Sequence, residues 1–539
     1  MARSGLCIDP CALRYLAFAS CRFVGPAGGS VVRVVAAAAR LRQESPARRP
    51  NRSRMADRGE GENGPRPARP TGPVAGRVCS ALFFFPRGGS AQVARALTGA
   101  LAETGWQVRL AAGSLDGPGA PTNAASFFSG IDVSAVDYSS ALRVADPLAA
   151  PVPFQPSYED RSAGPDRVFA AVDDATYERL VAAWAVALAR AGASEADLLH
   201  LHHLTPANEA ALRAFPTVPI VGQLHGTELA FLRALASGQP REWRHARAWE
   251  RRLRRWAHAC ERLIVPPGAE ADVAALLGLE RSKLAGLPSG VELERFRPRP
   301  VAAEERRAFW RQWLVENPQG WDEHRPPGSV AYRDEQLAPL ASGTVFLYLG
   351  RFTAVKRLPL LIRAHARAQA HLEYPVPLVL VGGHPGEWEG EHPLATIRQL
   401  DARHVFLAGW RPHEQLPQAL NAADALVLPS VAEAFGLALV EAMACGLPVI
   451  ACDAHGPAEI VREGENGWLI PPDDEQALAA ALIEAATDAR ERHRRGQQAA
   501  NAAQRHYGWP AIATRITDLY REVIARTAAG GRLGVAEQA

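Results

Sequence analysis

The stretch LPSVAEAFGLALVEAMACGLPVIA at residues 428–451 decides the fold of this chain. A continuous apolar run at 425–430, predicted to be a strand, leads into it, and a loop carrying Glu433 follows. A helix is predicted to begin near Phe435 and to carry Glu441. The free N–H groups at a helix start, together with the positive end of the helix dipole, predict an anion site there.

The residue types around that helix start suit a phosphorylated, hydroxyl-rich ligand. Gly436 would let a phosphate approach the backbone closely. The Glu441 carboxylate suits a ribose diol, because it can accept hydrogen bonds from two hydroxyl groups. Glu433, in the loop, suits sugar hydroxyls. Each glutamate has an alternative interpretation when it is considered alone. Glu433 could be a solvated loop residue, and Glu441 could be a charged residue on an exposed helix face.

Apolar runs of the same kind recur along the chain on both sides of a break at 299–342. Continuous apolar runs separated by helical sequence are typical of parallel strands covered on both faces. Two series of about six strands each predict an α/β protein with two doubly wound, Rossmann-like parallel sheets facing across a cleft. The runs lie at 78–86, 108–113, 198–203, 219–226, 262–267 and 283–291, and then at 345–352, 377–383, 404–410, 425–430, 448–453 and 467–472.

The same pattern predicts the domain boundaries. The predicted units are a disordered Arg/Pro/Gly-rich extension at 1–76, an N-terminal Rossmann-like domain at 77–298, a linker with an aromatic-rich insertion at 299–342, a C-terminal Rossmann-like domain at 343–505, a C-terminal helix at 506–528 that packs back toward the N-terminal domain, and a tail at 529–539. The extension fits either a disordered or upstream tail or an Arg-rich targeting leader.

Composition excludes several classes of protein. The chain has 539 residues, of which 47% are apolar and 22% charged, as in an ordinary globular protein. No run approaches the ~20 apolar residues of a membrane-spanning helix. The seven cysteines lack the spacing of a disulfide framework or a zinc site, and a reducing cytoplasm is the predicted compartment.

The net charge of +3 comes from the N-terminal extension. Residues 1–54 carry ten Arg against Asp9 and Glu44, which leaves 50 basic and 55 acidic residues in the remaining chain. A mildly acidic body predicts that nucleic acid is not a partner.

A second cluster of candidate residues lies in the segment GRFTAVK at 350–356. Arg351 and Lys356 follow a predicted strand, in the loop that opens the next helix. Two cations at the carboxyl end of a strand suit a diphosphate, since Arg supplies a planar fork and Lys a mobile charge. In isolation, the pair also fits two solvated surface cations.

The first half of the chain contributes a glycine pair and a histidine. Gly88 and Gly89 lie between the first predicted strand and a helix, where backbone amides can approach a phosphate or a sugar. The full G-x-G-x-x-G dinucleotide fingerprint is absent, so NAD binding is not indicated. His225 follows a strand and is expected to face the cleft, although a lone histidine also fits a structural role.

The stretch from Pro429 to Gly456 resembles the Glu-x7-Glu signature of the retaining glycosyltransferases of family 4, which have the GT-B fold. The matching residues are Pro429, Ser430, Glu433, Phe435, Gly436, Leu437, Glu441, Ala442, Gly446, Pro448, Val449 and Gly456. The resemblance implies that Glu433 lies by the donor sugar and that Glu441 holds the nucleotide ribose. It also implies that Arg351 and Lys356 stabilise the departing diphosphate, and that His225 lies near the reaction centre.

The resemblance further implies donor-binding residues and a reaction. The implied donor-binding residues are Gly88, Gly89, Phe435, Gly436, Leu437 and Glu441. The implied activity is transfer of a hexosyl unit from a nucleotide sugar to a sugar, lipid or small-molecule acceptor with retained configuration, and it uses no metal ion or further cofactor. The alternative hypothesis is a non-catalytic protein of the same fold that binds sugar nucleotides. Glu228 stands where the family commonly has Asp.

Two aromatic segments have two interpretations each. Trp310, Trp313 and Trp321 in the insertion could line an acceptor-binding surface or pack at the hinge. The basic amphipathic stretch at 243–260 fits a surface helix with its apolar stripe in the core, and it also fits a peripheral membrane contact.

Overall fold

The structure, a computed structural model, describes residues 75–159, 166–238, 241–386 and 388–536. Most of the predicted extension at 1–76 and the last residues of the predicted tail therefore lie outside the described residues. Two parallel sheets organise the described chain. The seven-stranded sheet and the helices packed on it are the first lobe, and the six-stranded sheet and its helices are the second lobe.

All strands in both sheets pair in parallel. The first sheet has the order β3-β2-β1-β4-β5-β6-β7, and the second has the order β10-β9-β8-β11-β12-β13. The strands are β1 Gly76–Leu82, β2 Trp106–Ser114, β3 Asp132–Asp137, β4 Leu198–His202, β5 Ile220–Gln223, β6 Arg262–Val265, β7 Leu284–Gly286, β8 Phe346–Leu349, β9 Leu378–Val381, β10 Val405–Gly409, β11 Ala425–Leu428, β12 Val449–Cys452 and β13 Gly467–Ile470.

Each of the twelve apolar runs corresponds to one strand of the structure. The prediction of two doubly wound parallel sheets is therefore confirmed. The sequence reasoning missed β3. This strand lies at the edge of the first sheet, and its sequence DVSAVD mixes polar and apolar residues because it has a single strand neighbour and is only partly buried.

Helices connect the strands on both faces of the sheets. They are α1 Gly89–Glu103, α2 Ala124–Phe127, α3 Asp174–Arg190, α4 Pro206–Ala214, α5 Thr227–Ala236, α6 Ala246–Ala259, α7 Glu270–Leu277, α8 Ala303–Arg311, α9 Ala338–Ser342, α10 Leu358–Gln369, α11 Pro393–Gln399, α12 Leu416–Asn421, α13 Leu437–Ala444, α14 His455–Ile460, α15 Glu475–Thr487, α16 Ala489–His506 and α17 Trp509–Ala536. None of the described helices is both long and apolar enough to cross a membrane.

The strand order places a switch point in each sheet. The chain enters the first sheet at β1, adds β2 and β3 on one side, and then returns to place β4 on the other side; β8 and β11 flank the equivalent point of the second sheet. Ligands of such sheets bind beyond the carboxyl ends of the strands at this point. The segments that follow β1, β8 and β11 carry the predicted glycine pair, the two cations and the helix start.

The tryptophans of the insertion lie inside the second lobe. Trp310, Trp313 and Trp321 are each at most 3% exposed and belong to the core around β8. Trp321 stacks on Phe352, with 5.8 Å between ring centroids. The interpretation of these rings as an acceptor-binding surface is therefore wrong, because none of them has a face open to a sugar.

The amphipathic stretch at 243–260 forms α6 with its apolar stripe in the core of the first lobe. Trp249, Leu253 and Trp256 are fully buried, and the Trp256 indole N–H donates to the Glu209 carboxylate at 2.8 Å. The core interpretation of this stripe is therefore the one that the structure supports.

Helix α17 follows the second lobe in sequence but packs on the first sheet. Trp509, Ile516 and Tyr520 join a buried cluster with Val78 and Trp106. The helix continues to Ala536, past the end that the sequence pattern predicted at residue 528 and into the predicted tail. Its buried face ties the two ends of the described chain together.

Candidate active site

The start of α13 is an open helix N-terminus at the carboxyl edge of the second sheet. Gly436 precedes it with φ of 103°, and no side chain of the described residues caps it. A Cβ at Gly436 would lie 2.9 Å from a terminal methyl group of Leu439, and the left-handed backbone at this position favours glycine. The first N–H groups of α13 are thus available to an anion.

Lys356 and Glu433 meet beside this helix start. Lys356 ends a single 3-10 turn after β8, and its Nζ forms an ion pair with the Glu433 carboxylate. The two side chains are only 15% and 19% exposed. The Val431 N–H donates to the Val355 carbonyl at 3.0 Å, which ties the loop of the cation to the loop of the carboxylate.

Arg351 begins the same loop as Lys356 but faces the first lobe. Its guanidinium donates to both carboxylate oxygens of Glu159, each at 2.7 Å. The buried Tyr348 hydroxyl donates to the Arg351 carbonyl at 2.7 Å and fixes the backbone from which the side chain extends. The second lobe therefore presents a cation across the cleft.

Glu441 lies five residues beyond Gly436 on α13, which places it roughly 7 Å along the helix axis from the open N-terminus. One of its carboxylate oxygens lies 2.7 Å from the Nε2 of His413. Both side chains are close to nine-tenths buried. A carboxylate held at this distance from an anion site suits the ribose of a nucleoside diphosphate.

Besides Glu159, two glycines of the first lobe approach the second lobe at this site. A Cβ at Gly89, where α1 begins, would lie 3.0 Å from the Leu437 side chain at the start of α13. Gly226, at φ of 99° after β5, lies so close to Ala434 that an added Cβ would overlap the Ala434 methyl group. The starts of α1 and α13 therefore face each other, and the His225 loop contacts the Glu433 loop.

His225 lies in a cluster of four buried or half-buried histidines at the ends of β4 and β5. Its Nε2 is 3.0 Å from the Nδ1 of His202, and its ring centroid is 4.5 Å from that of His203. His200 stacks on His202 and hydrogen-bonds the Tyr520 hydroxyl of α17. Burial holds the pKa values of His202 and His225 well below the usual histidine value, so both rings are neutral.

Two family profiles match the two lobes. The profile described as Glycosyltransferase Family 4 matches residues 87–295, and the profile described as Glycosyl transferases group 1 matches residues 334–502. The D-inositol 3-phosphate glycosyltransferase of Kineococcus radiotolerans is 30% identical over 350 residues, which cover 62% of this chain and 73% of that protein. The protein of the same name from Thermomonospora curvata is 30% identical over 349 residues, covering 62% and 74%.

The chain belongs to glycosyltransferase family 4.

Solved structures agree on the fold of this glycosyltransferase. The sucrose-phosphate synthase of Thermosynechococcus elongatus superposes with a TM-score of 0.59 at 20% identity, covering 84% of this chain and all of that one. Anabaena HepE, solved in complex with UDP and glucose, superposes with a TM-score of 0.55 at 20% identity, covering 82% and 99%. The predicted GT-B architecture is confirmed.

The glycosyltransferase brings most of the predicted site residues to one place. Glu433 pairs with Lys356 and lies beside Gly436, and Arg351 follows the same strand as Lys356. Phe435 is arranged differently from the others. Its ring contacts Tyr507 and lines a cavity of about 370 Å³ together with Pro288 and Arg515.

Three partners of the site residues were missed by sequence reasoning, namely Glu159, His203 and His413. His413 follows β10, and a polar side chain after that strand was the one signal that could have found it. Glu228, whose role the sequence left open, pairs with His203 at 2.6 Å and is fully buried. Burial raises the pKa of Glu228, but the charge of His203 and the hydrogen bonds to the carboxylate lower it below its usual value.

The buried histidines make the stability of the glycosyltransferase pH-dependent. Burial lowers the pKa values of His200 and His365 to about 4, whereas unfolding returns each to its usual value near 6.5. The unfolded chain therefore binds more protons below pH 6.5, and the free energy of unfolding falls as the pH falls toward 4, by roughly 2 kcal/mol for each histidine at pH 5. Chemical denaturation at pH 7.5 and pH 5.0 measures this difference; equal values would contradict it.

Proposed function

We propose that this glycosyltransferase moves a hexosyl unit from a nucleoside diphosphate sugar to an acceptor hydroxyl, with the anomeric configuration retained. The observation that carries the proposal is the meeting of Lys356, Glu433 and the open start of α13 at one point. A cation and a row of N–H groups stabilise the charge that grows on a departing diphosphate. Glu433 then orients the sugar hydroxyls beside it.

The proposed chemistry needs no protein nucleophile. The acceptor hydroxyl attacks the anomeric carbon from the face that the diphosphate leaves, the bond to the diphosphate oxygen breaks, and the leaving phosphate takes the acceptor proton. Lys356, Arg351 and the α13 N–H groups meet the negative charge that develops. Contact between Gly226 and Ala434 brings the lobes together over the reaction and excludes water.

The donor is tested with a panel of UDP-, GDP- and ADP-sugars, scored by thermal stabilisation and by nucleotide release. The Anabaena HepE complex contains UDP and glucose, so UDP-glucose comes first in the panel. We expect one nucleotide series both to stabilise the protein and to be turned over. If a nucleotide sugar stabilises the protein thermally but no nucleotide is released with any acceptor, the result would instead support a non-catalytic sugar-nucleotide-binding protein.

We expect transfer to survive EDTA. Lys356, Arg351 and the helix dipole supply positive charge where many nucleotide-sugar enzymes use a divalent ion. Turnover is measured before and after dialysis against EDTA, and then after Mg²⁺ or Mn²⁺ is added back. Loss of turnover that either ion restores would contradict the proposed metal independence.

The proposed compartment is the cytoplasm. The described cysteines Cys79, Cys260, Cys445 and Cys452 are free and buried, and burial raises the pKa of each thiol to about 11 or 12. Thiols of this kind are stable in a reducing environment.

A further inference from the structure

Glu159 lies on the first-lobe wall of the cleft, anchored by the residue before it. The Tyr158 hydroxyl donates to the Leu204 carbonyl, just beyond β4, and the Tyr158 ring is buried. That ring contacts Phe84 and His203, each with 6.2 Å between ring centroids. The backbone of Glu159 is thus fixed at the carboxyl edge of β1 and β4, beside the histidine cluster that contains His225.

The Glu159 carboxylate spans the cleft to Arg351. Both of its oxygens accept from the guanidinium at 2.7 Å, and the side chain is 24% exposed. A planar fork of this kind binds a carboxylate or a phosphate in the same bidentate way, so the two compete for it. Under the proposed function, the donor diphosphate takes the Arg351 fork.

When the diphosphate occupies that fork, the Glu159 carboxylate lies beside a group of like charge. An anion in that position is repelled by phosphate and favours hydroxyl donors. The acceptor is the substrate that brings hydroxyl groups to the first-lobe side of the diphosphate. His203 lies beside Tyr158 and against the ring of His225, so the backbone of Glu159 is held next to the histidine cluster.

We propose that Glu159 is a residue of the acceptor subsite, where its carboxylate accepts hydrogen bonds from the hydroxyl groups of a polyhydroxylated acceptor. The inference rests on the proposed function. The structure shows this carboxylate paired with Arg351. When the donor binds, the Glu159 carboxylate leaves Arg351 and accepts hydrogen bonds from acceptor hydroxyl groups. Its negative charge favours the hydroxyl groups of a polyol over a second phosphate group at this position.

The test uses E159Q, which keeps the size of the side chain and removes its charge. The donor from the panel is offered with glucose, myo-inositol, fructose 6-phosphate or D-inositol 3-phosphate, and transfer is compared with release of nucleotide into water. We expect E159Q to lower transfer relative to hydrolysis by about tenfold or more, since a hydrogen bond to a charged group is lost. Donor affinity measured without acceptor should be unchanged or tighter.

The matched control is E414Q, which breaks a second cross-cleft ion pair, between Glu414 and Arg95 of α1 at 3.3 Å. It should leave the ratio of transfer to hydrolysis as in the wild type, and both variants should melt like the wild type. An unchanged ratio in E159Q overturns the proposal, and so does weaker donor binding by E159Q than by the wild type. Failure of the wild type to glycosylate any of the polyols overturns it too, whereas failure to bind or hydrolyse any nucleotide sugar overturns the proposed function.

Discussion

Replacing Lys356 by alanine is expected to lower the rate of transfer by about 10²- to 10³-fold. Losses of this size follow when one group that stabilises transition-state charge is removed from an enclosed site. Lys356 is only 15% exposed and stands beside the open start of α13. Its positive charge therefore acts at short range and with little screening by water. The loss should fall on kcat, because the charge on the diphosphate is greatest as its bond to the sugar breaks.

Lys283 provides the matched control, since it is the other lysine in the sequence. Its Nζ donates to the His258 carbonyl at 2.7 Å and to the Cys260 carbonyl at 3.2 Å, at the end of α6. K283A should lower the melting temperature and leave kcat near the wild-type value. K356A with normal kcat, or with a loss that K283A shares, would show that Lys356 does not act on the diphosphate.

We expect the replacement of Gly226 by alanine to lower kcat by about 10²-fold, because the added methyl group holds the two lobes apart. A displacement of about 1 Å at the reacting atoms has an effect of this size. Gly226 is the point where the His225 loop meets Ala434 of the other lobe. The clash is with a backbone-anchored methyl group, so it is relieved only if the lobes separate. Small-angle scattering in the presence of the donor should show a larger radius of gyration than for the wild type.

The control for backbone strain is G238A. Gly238 has φ of 103°, close to the 99° of Gly226, but a Cβ there would meet none of the described residues within 4 Å. Both variants therefore place alanine in the left-handed region, and only G226A meets the other lobe. Equal kcat values for the two variants would contradict a role for the Gly226 contact in closure.

The strands and the motif-bearing loops could be predicted from the sequence because their signals are local. A buried parallel strand must be apolar along its whole length, so twelve short runs identified twelve strands, whereas the half-exposed edge strand β3 had no such run. The site residues after β8 and β11 were found for the same reason. Each lies within a few residues of a strand end, and the topology brings those ends together.

The pairings between distant segments could not be predicted. Arg351 with Glu159, His413 with Glu441 and His203 with Glu228 join residues 192, 28 and 25 positions apart. Nothing in the local pattern of a carboxylate indicates which cation will face it across a cleft. The role of the insertion could not be predicted either. The sequence pattern of Trp310, Trp313 and Trp321 fits both a sugar-binding surface and a buried core, and only the packing around them decides between the two.

The most direct test is a crystal structure with the nucleoside diphosphate that the donor panel identifies. The diphosphate oxygens should lie within about 3 Å of the Lys356 Nζ, the Arg351 guanidinium and a backbone N–H of Gly436 or Leu437, with the ribose hydroxyls on Glu441. A diphosphate bound elsewhere would contradict the assigned site. One such place is the cavity that Phe435 lines, which also carries Arg505 and Arg515.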